Sequence, residues 1–332
     1  MDYDKPVTYT GYTIGKVSRG GKPWYTMDMI NDIAAFLTDH QQDGSRPVSA
    51  PMPYMTELTK DKGAVTDKEH TWYRSVLGSL QWYAGVKYDI AYEVSRLAQM
   101  TAAPTQGALK ALKRVLGYLS TTRDRQLMVP RVTGNVWVTY SDSDHAGDMG
   151  MGTTKSHTGV MMLLNGMLVH WRSQKQPKTS LSSAEAEIYA MSRAVKDANL
   201  RLWVTEDMYV HVKWPMTLHV DNAAGVSFQH TACGNTQMKG IFKMSEDWIQ
   251  DLKNEDKVVS VHVPTDRNLA DMLTKGLAVD VRNKLDATMA QIAEAVASGK
   301  FVGRSYPTPP PRLPRRPSHP IQDSPPGDPA TA

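Results

Sequence analysis

The run Val136-Trp137-Val138-Thr139-Tyr140-Ser141-Asp142-Ser143-Asp144 alternates in character and ends in closely spaced carboxylates. Alternation of this length predicts a half-buried strand, and acids at its end suit a hard cation better than a core. Glu187, Asp221 and Asp271 stand downstream, each beside or inside a predicted regular element. Four carboxylates converging from separate elements suit two divalent ions, because Mg²⁺ takes oxygen ligands and a pair of ions can clamp the attacking and leaving oxygens of a phosphodiester. Each acid also has an ordinary explanation. Asp142 and Asp144 can simply solvate a strand end, and spacing does not choose between them. Glu185 and Glu187 flank the apolar stripe of one helix on opposite sides, and periodicity leaves them equal. Asp221 falls where a strand gives way to a helix, a place where aspartate both ligates and caps. Asp271 lies near a helix start, where the dipole favours any acid.

A polyanionic substrate also needs cations. Lys110, Lys113 and Arg114, with Lys155, Arg172, Lys175 and Lys178, are candidates to track a phosphate backbone, although scattered bases are commonly just solvated. His157 and His170 are candidate helpers, but their hairpin positions make ordinary exposure the simpler expectation. Trp171 and Trp203 are expected to pack in the core, and the many methionines read as core filling.

The elements that position these residues follow from periodicity. Residues 1–71 are punctuated by Gly20-Gly21, Pro23, Pro47, Pro51 and Pro53, so irregular structure is expected there, with one short helix around Met27–Leu37. Between residues 72 and 130, Tyr73, Val76, Leu77 and Leu80, then Ile90, Val94 and Leu97, then Leu109, Leu112, Val115, Leu116 and Leu119 recur at helical spacing and predict a three-helix module. The strand ending in Asp142 opens the next part. Asn165-Gly166 between two apolar runs predicts a hairpin, and Ser182-Ser183-Ala184-Glu185 has the form of a capping box before a long helix. Met216–Val220 and Val258–Val263 read as strands. A short helix is expected after Asp221-Asn222, with further helices over Ile241–Leu252 and Asn268–Leu277. The order βββαβααβα implies a mixed sheet flanked by helices, an α/β fold. A last helix over 278–300 stops at Gly299. Half of the 20 prolines lie beyond Tyr306; residues 301–332 are expected to be disordered with polyproline character, a solvated tail or a ligand for proline-reading domains.

Composition bounds the rest. At 332 residues and 41% hydrophobic the chain can bury a sizeable core. A net charge of +4 is compatible with a polyanionic partner without demanding one. A single cysteine, Cys233, rules out an internal disulfide and a cysteine-rich zinc site, and points to an intracellular setting, cytoplasm or nucleus. No apolar run is long enough to span a bilayer, so no membrane partner is expected.

An ordered set of motifs resembles the C-terminal part of the polyprotein of copia-type retrotransposons, the end of the reverse transcriptase followed by its ribonuclease H domain. The matching stretches are Tyr73-Arg74-Ser75-Val76-Leu77-Gly78-Ser79-Leu80, Asp89-Ile90-Ala91, Lys113-Arg114-Val115-Leu116, Tyr140-Ser141-Asp142-Ser143-Asp144, Gln176-Pro177, Leu181-Ser182-Ser183-Ala184-Glu185-Ala186-Glu187, Asp221-Asn222, Val263-Pro264-Thr265 and Leu269-Ala270-Asp271-Met272-Leu273-Thr274-Lys275. The resemblance implies a ribonuclease H-like fold over 133–277, a central five-stranded mixed sheet with helices on both faces, after a module at 72–130 like the thumb or connection of the polymerase. It implies that Asp142, Glu187, Asp221 and Asp271 hold two Mg²⁺ (or Mn²⁺) ions and cut the RNA strand of an RNA–DNA hybrid, with Asn222 among the substrate contacts. It also implies the polymerase part of a reverse transcriptase as a partner. The strand to be cut would be recognised through its 2′-hydroxyls across the wide minor groove.

Departures from the pattern set a second reading beside the first. His145 stands where the family usually has Trp, and residues 235–244 lack the family's histidine. No Asp-Asp dipeptide occurs, so no polymerase activity is expected. The alternative is a catalytically inactive relic or nucleic-acid-binding module that keeps the fold. A third reading, a nuclease or strand-transfer enzyme of the same fold, predicts cleavage of duplex DNA.

Overall fold

The computed structural model describes residues 5–41, 46–53, 56, 58, 63–130, 136–145, 153–209, 214–222 and 241–299. The N-terminal part departs from expectation. β1 (Val7–Tyr9), β2 (Tyr12–Arg19) and β3 (Lys22–Asp28) form successive hairpins, α1 (Ile30–Asp39) follows, and β4 (Leu127–Pro130) returns to pair with β3. Irregular structure over 1–71 is therefore wrong for residues 7–39. The glycines read as breakers are turn residues: Gly20 and Gly21 take φ of 57° and 72°, as a two-residue hairpin turn demands. The expected helix at Met27 starts at Ile30 because Met27 and Asp28 belong to β3.

The three predicted helices of the next module are present as α2 (Asp67–Tyr83), α3 (Ala91–Ala98) and α4 (Gln106–Thr122). α2 begins in a capping box: Thr66 Oγ1 accepts from the Glu69 N–H, while the Glu69 carboxylate accepts from the Thr66 N–H at 2.8 Å. The stripes Tyr73, Val76, Leu77, Leu80 and Leu109, Leu112, Val115, Leu116, Leu119 are buried, as their spacing requires.

The second sheet contains β5 (Trp137–Asp144), β6 (His157–Leu164), β7 (Met167–Lys175), β8 (Met216–Val220) and β9 (Val258–His262), in the order β7-β6-β5-β8-β9. β5, β6 and β7 are antiparallel neighbours; β5–β8 and β8–β9 are parallel. The Asn165-Gly166 turn joins β6 to β7 as predicted. α5 (Ser183–Asp207) and α6 (Ile241–Asn254) cover one face, where Trp137, Val160 and Met162 share a core with Met191, Ala194, Val195, Ala198, Ile249 and Leu252. Ala186, Ala190, Ala194 and Ala198, four residues apart and fully buried, let the α5 backbone lie close to the strands. This is the ribonuclease H-like α/β architecture the resemblance implied.

The opposite face is where the expected segmentation fails. Val138, Tyr140, Met161, Leu163 and Leu168 belong to one core with α2, α3, α4 and α7 (Val279–Ala297). Arg282 of α7 pairs with Glu93 of α3 at 3.0 Å, both buried, and Trp171 Nε1 of β7 donates to the Ala84 carbonyl at 2.7 Å. The boundaries drawn at residues 130 and 277 therefore cut through shared apolar packing.

After β9 the expected helix Asn268–Leu277 is two 3₁₀ turns, Thr265–Arg267 and Leu269–Leu273. Asn268 caps the second: its Oδ1 accepts from the Ala270 N–H, and its Nδ2 donates to the Ser141 carbonyl of β5. The turn sits tightly over Gly159, where a Cβ would lie 2.6 Å from the Ala270 carbonyl oxygen. The short helix expected after Asn222, residues 235–240 and the tail 301–332 lie outside the described residues. Among those described, no helix is long and apolar enough to cross a membrane.

Candidate functional site

Asp142 lies near the carboxyl end of β5, and Asp221 directly follows β8, its parallel neighbour. Ligands collect at the carboxyl ends of parallel strands because the loops that follow open a crevice there. Glu187 reaches the same place from the start of α5, which Ser182 fixes by accepting the Glu185 N–H at 3.2 Å. One carboxylate oxygen from each of Asp142, Glu187 and Asp221 can be chosen so that all lie within 4.8 Å of one another. Asp271, on the 3₁₀ turn held by Asn268, is not one of the three, but it stands near enough to Asp142 and Asp221 to feel their charge. Lys275 stands between, its Nζ 3.1 Å from Asp271 Oδ2 and 4.0 Å from Asp142 Oδ2. Thr274 Oγ1 donates to Asp142 Oδ2.

The electrostatics are those of crowded like charges. Burial, then Asp142 and Asp221, push the Glu187 carboxyl well above its ordinary range. Asp221 is raised by burial and by Asp142, against a hydrogen bond with Thr265. Asp271 is pushed up to about 8 by burial and Asp142, which together outweigh Lys275. Burial pulls Lys275 down, but Asp142 and Asp271 more than reverse it and raise its pKa. The donor set fits a hard divalent cation. Asp142, Glu187 and Asp221 each bring a carboxylate oxygen to this place, the donor type that Mg²⁺ takes. Asp271 Oδ1, buried with no hydrogen-bond partner, adds another hard donor.

Positions the sequence left open now differ. Asp142 joins the cluster, whereas Asp144 pairs across the strands with His157. Glu185 is spent on the helix start, its Oε2 accepting from the Leu181 N–H at 2.7 Å. Of the basic candidates, Lys155 and Lys178 lie on segments that run together at the carboxylate end of the sheet, tied by Thr154 and Thr179. Asn222 follows Asp221 directly. Lys110, Lys113 and Arg114 ride on α4 in the layer over the opposite face, with the Lys113 ammonium 5.9 Å from the centre of the Trp72 ring. Lys175 donates to Gln99 Oε1 and Arg172 to Asp197, so both are engaged within the protein.

Three expectations fail. His157 and His170 are not exposed: burial pushes His157 down to about 3, and His170 bonds Asp197. Trp203 is not core, being 61% exposed, because the α5 stripe that packs on the sheet runs through Ala198 and Leu202. Sequence reasoning also passed over Lys275, Thr274 and Gly159. Only the spacing of Lys275 four residues after Asp271 hinted at a pair.

No family model matches the chain. It is 30% identical over 234 residues to the retrovirus-related Pol polyprotein from transposon RE2 of Arabidopsis thaliana, covering 70% of this chain and 16% of that polyprotein. A 134-residue stretch is 38% identical to secreted RxLR effector protein 161 of Plasmopara viticola, covering 40% of this chain and 91% of that protein. Among solved structures, LC11-RNase H1 in complex with RNA/DNA hybrid aligns with a TM-score of 0.32 at 20% identity, over 42% of this chain and 93% of that one. The chain thus spans about a sixth of the length of the first curated relatives it matches. Its relatives are the retrovirus-related Pol polyproteins of copia-type transposons, matched over 70% of this chain.

Proposed function

We propose that this chain hydrolyses the RNA strand of RNA–DNA hybrids, with two Mg²⁺ (or Mn²⁺) ions held by Asp142, Glu187, Asp221 and Asp271. The observation that carries the reading is the approach of Asp142, Glu187 and Asp221 to within 4.8 Å from three separate elements. Bound divalent ions supply charge neutralisation at the phosphoryl group and a more acidic water. The protein's own groups do the positioning. Thr274 orients Asp142 by donating to Oδ2, Asn268 ties the 3₁₀ turn of Asp271 to β5, and Thr265 bonds Asp221. Lys155, Lys178 and Asn222 stand at the same end of the sheet for contact with the hybrid. Action beside a polymerase part, inside the cell, belongs to the same proposal.

One observation favours the second reading, a catalytically inactive, nucleic-acid-binding relic. The Lys275 ammonium pairs with Asp271 and approaches Asp142, and so competes with a cation for the same oxygens. Incubation of the chain with a labelled hybrid in Mg²⁺, beside Asp142→Asn, separates the readings. Cleavage lost in the variant supports hydrolysis, and its absence from both proteins supports the relic. Duplex DNA cut in preference to the hybrid would instead mark a different nuclease of the same fold.

A further inference from the structure

Gln176 is buried, at 2% exposure, yet it is not one of the clustered carboxylates and no step assigned to them uses it. It directly follows β7, and its N–H donates to the Ser156 carbonyl just ahead of β6. Its side-chain amide joins three separate segments. Nε2 donates to Thr158 Oγ1 of β6 and to the Ala186 carbonyl of α5, each at 3.0 Å, and Oε1 accepts from Ser180 Oγ at 3.0 Å. The orientation of the amide is fixed, because the Ala186 carbonyl can only accept and so requires the nitrogen. Both amide protons and the oxygen are engaged within the protein.

The two groups that Nε2 holds flank Glu187 from both directions. The Ala186 carbonyl belongs to the peptide group that leads into Glu187. Thr158 pairs with Ser143 across β5 and β6, and the Ser143 N–H donates to the Glu187 carboxylate. Glu187, Ser143, Thr158, Gln176 and Ala186 thus close a ring, in which one amide ties the backbone that bears the carboxylate to the strands that receive it. The ring controls the rotation of α5. Successive residues of an α-helix turn by about 100°, so Glu185 and Glu187 point about 200° apart. The Ser182 cap and the bond from the Leu181 N–H to Glu185 fix where α5 starts, but both stay within residues 181–185 and do not reach the sheet. The buried alanines of α5 give the strands only methyl groups to grip, so a directional bond holds the first turn to a narrower angle.

We propose that Gln176 is the positioning residue for Glu187, holding the first turn of α5 at the rotation that aims this carboxylate at Asp142. The inference rests on the reading of Glu187 as a metal ligand for its consequence, but not for its geometry.

The test is amide hydrogen exchange of the metal-free full chain, followed by Mg²⁺ titration calorimetry. Gln176→Met fills similar space without donor or acceptor, and Thr158→Val cuts the same ring from the strand side should the first variant not fold. Each is expected to speed exchange at the Ser143 N–H by about fivefold to tenfold, the change that loss of one hydrogen bond produces. Each should also weaken Mg²⁺ binding by about tenfold or more wherever Glu187→Gln weakens it. Tyr73→Phe, which removes a buried bond to the Leu97 carbonyl in the helical module, is the control for general loosening. It should change neither readout. Ser143 exchange equal to the parent in the folded variants, or faster by the same factor in Tyr73→Phe, would overturn the proposal. Parent-like Mg²⁺ binding by Glu187→Gln would instead sink the two-ion reading, while the exchange comparison still decides the role of Gln176.

Discussion

Lys275 holds its ammonium 3.1 Å from the Asp271 carboxylate and 4.0 Å from Asp142, placing a side-chain cation inside an otherwise anionic corner. The pair offsets like-charge repulsion in the absence of metal and opposes metal when it is present. Lys275→Met is therefore expected to lower the melting temperature of the metal-free protein and to enlarge the rise caused by Mg²⁺. Thermal melts with and without Mg²⁺ read both effects. Equal Mg²⁺ shifts in parent and variant would remove Lys275 from the site's electrostatics.

The acidic cluster also sets a pH dependence. Asp271 has its pKa raised from 3.8 to about 8, so between those values the folded state holds a proton that the unfolded state releases. Its contribution is present in acid and is lost as pH climbs through that window. Asp271→Asn should remove this loss, stabilising the metal-free protein at pH above 8 by roughly 2–4 kcal/mol relative to its effect in acid. Urea melts of parent and variant at the two ends of the window give the comparison, and parallel behaviour would contradict it.

Gly159 is the floor on which the Asp271 turn rests. A methyl group there would meet the Ala270 carbonyl oxygen at 2.6 Å and the Thr274 methyl at 2.7 Å, both on the segment that delivers Asp271 and Lys275. Gly159→Ala should cost about 1–3 kcal/mol through overpacking. It should also weaken Mg²⁺ binding more than a substitution of equal cost elsewhere. Calorimetric Mg²⁺ titration beside a stability-matched core variant is the check, and unchanged Mg²⁺ affinity would show that the turn shifts without moving Asp271.

Arg282 and Glu93 tie the C-terminal helix to the helical module. Both side chains are at most 3% exposed, and Arg282 also donates to the Asp89 carbonyl. Arg282→Ala strands a buried carboxylate, and a loss of about 3–5 kcal/mol follows. Denaturant unfolding measures it. A cost under about 1 kcal/mol would mean that Glu93 escapes to water or takes up a proton without penalty.

Much of this was legible along the chain because it depends on local periodicity. Tyr73-Val76-Leu77-Leu80 has no other way to bury its side chains than as one helical face, and Asn165-Gly166 between apolar runs demands a hairpin. Acids that end or border regular elements stood out as candidates, but the resemblance to copia-type polyproteins, not their position, implied Asp142 over Asp144 and Glu187 over Glu185. The N-terminal strands escaped notice because Gly20-Gly21 looks the same in a turn as in irregular chain, and β4 is only four residues long.

What tertiary structure alone decided are relationships between residues far apart in sequence. Periodicity cannot rank Glu185 against Glu187, since they flank one stripe equally; the choice depends on which side of α5 faces the end of β5. Arg172 looked like a free cation until Asp197, on another element, proved to be its partner. Local pattern specifies which faces must be buried, but only the packing of those faces against one another determines which charges meet.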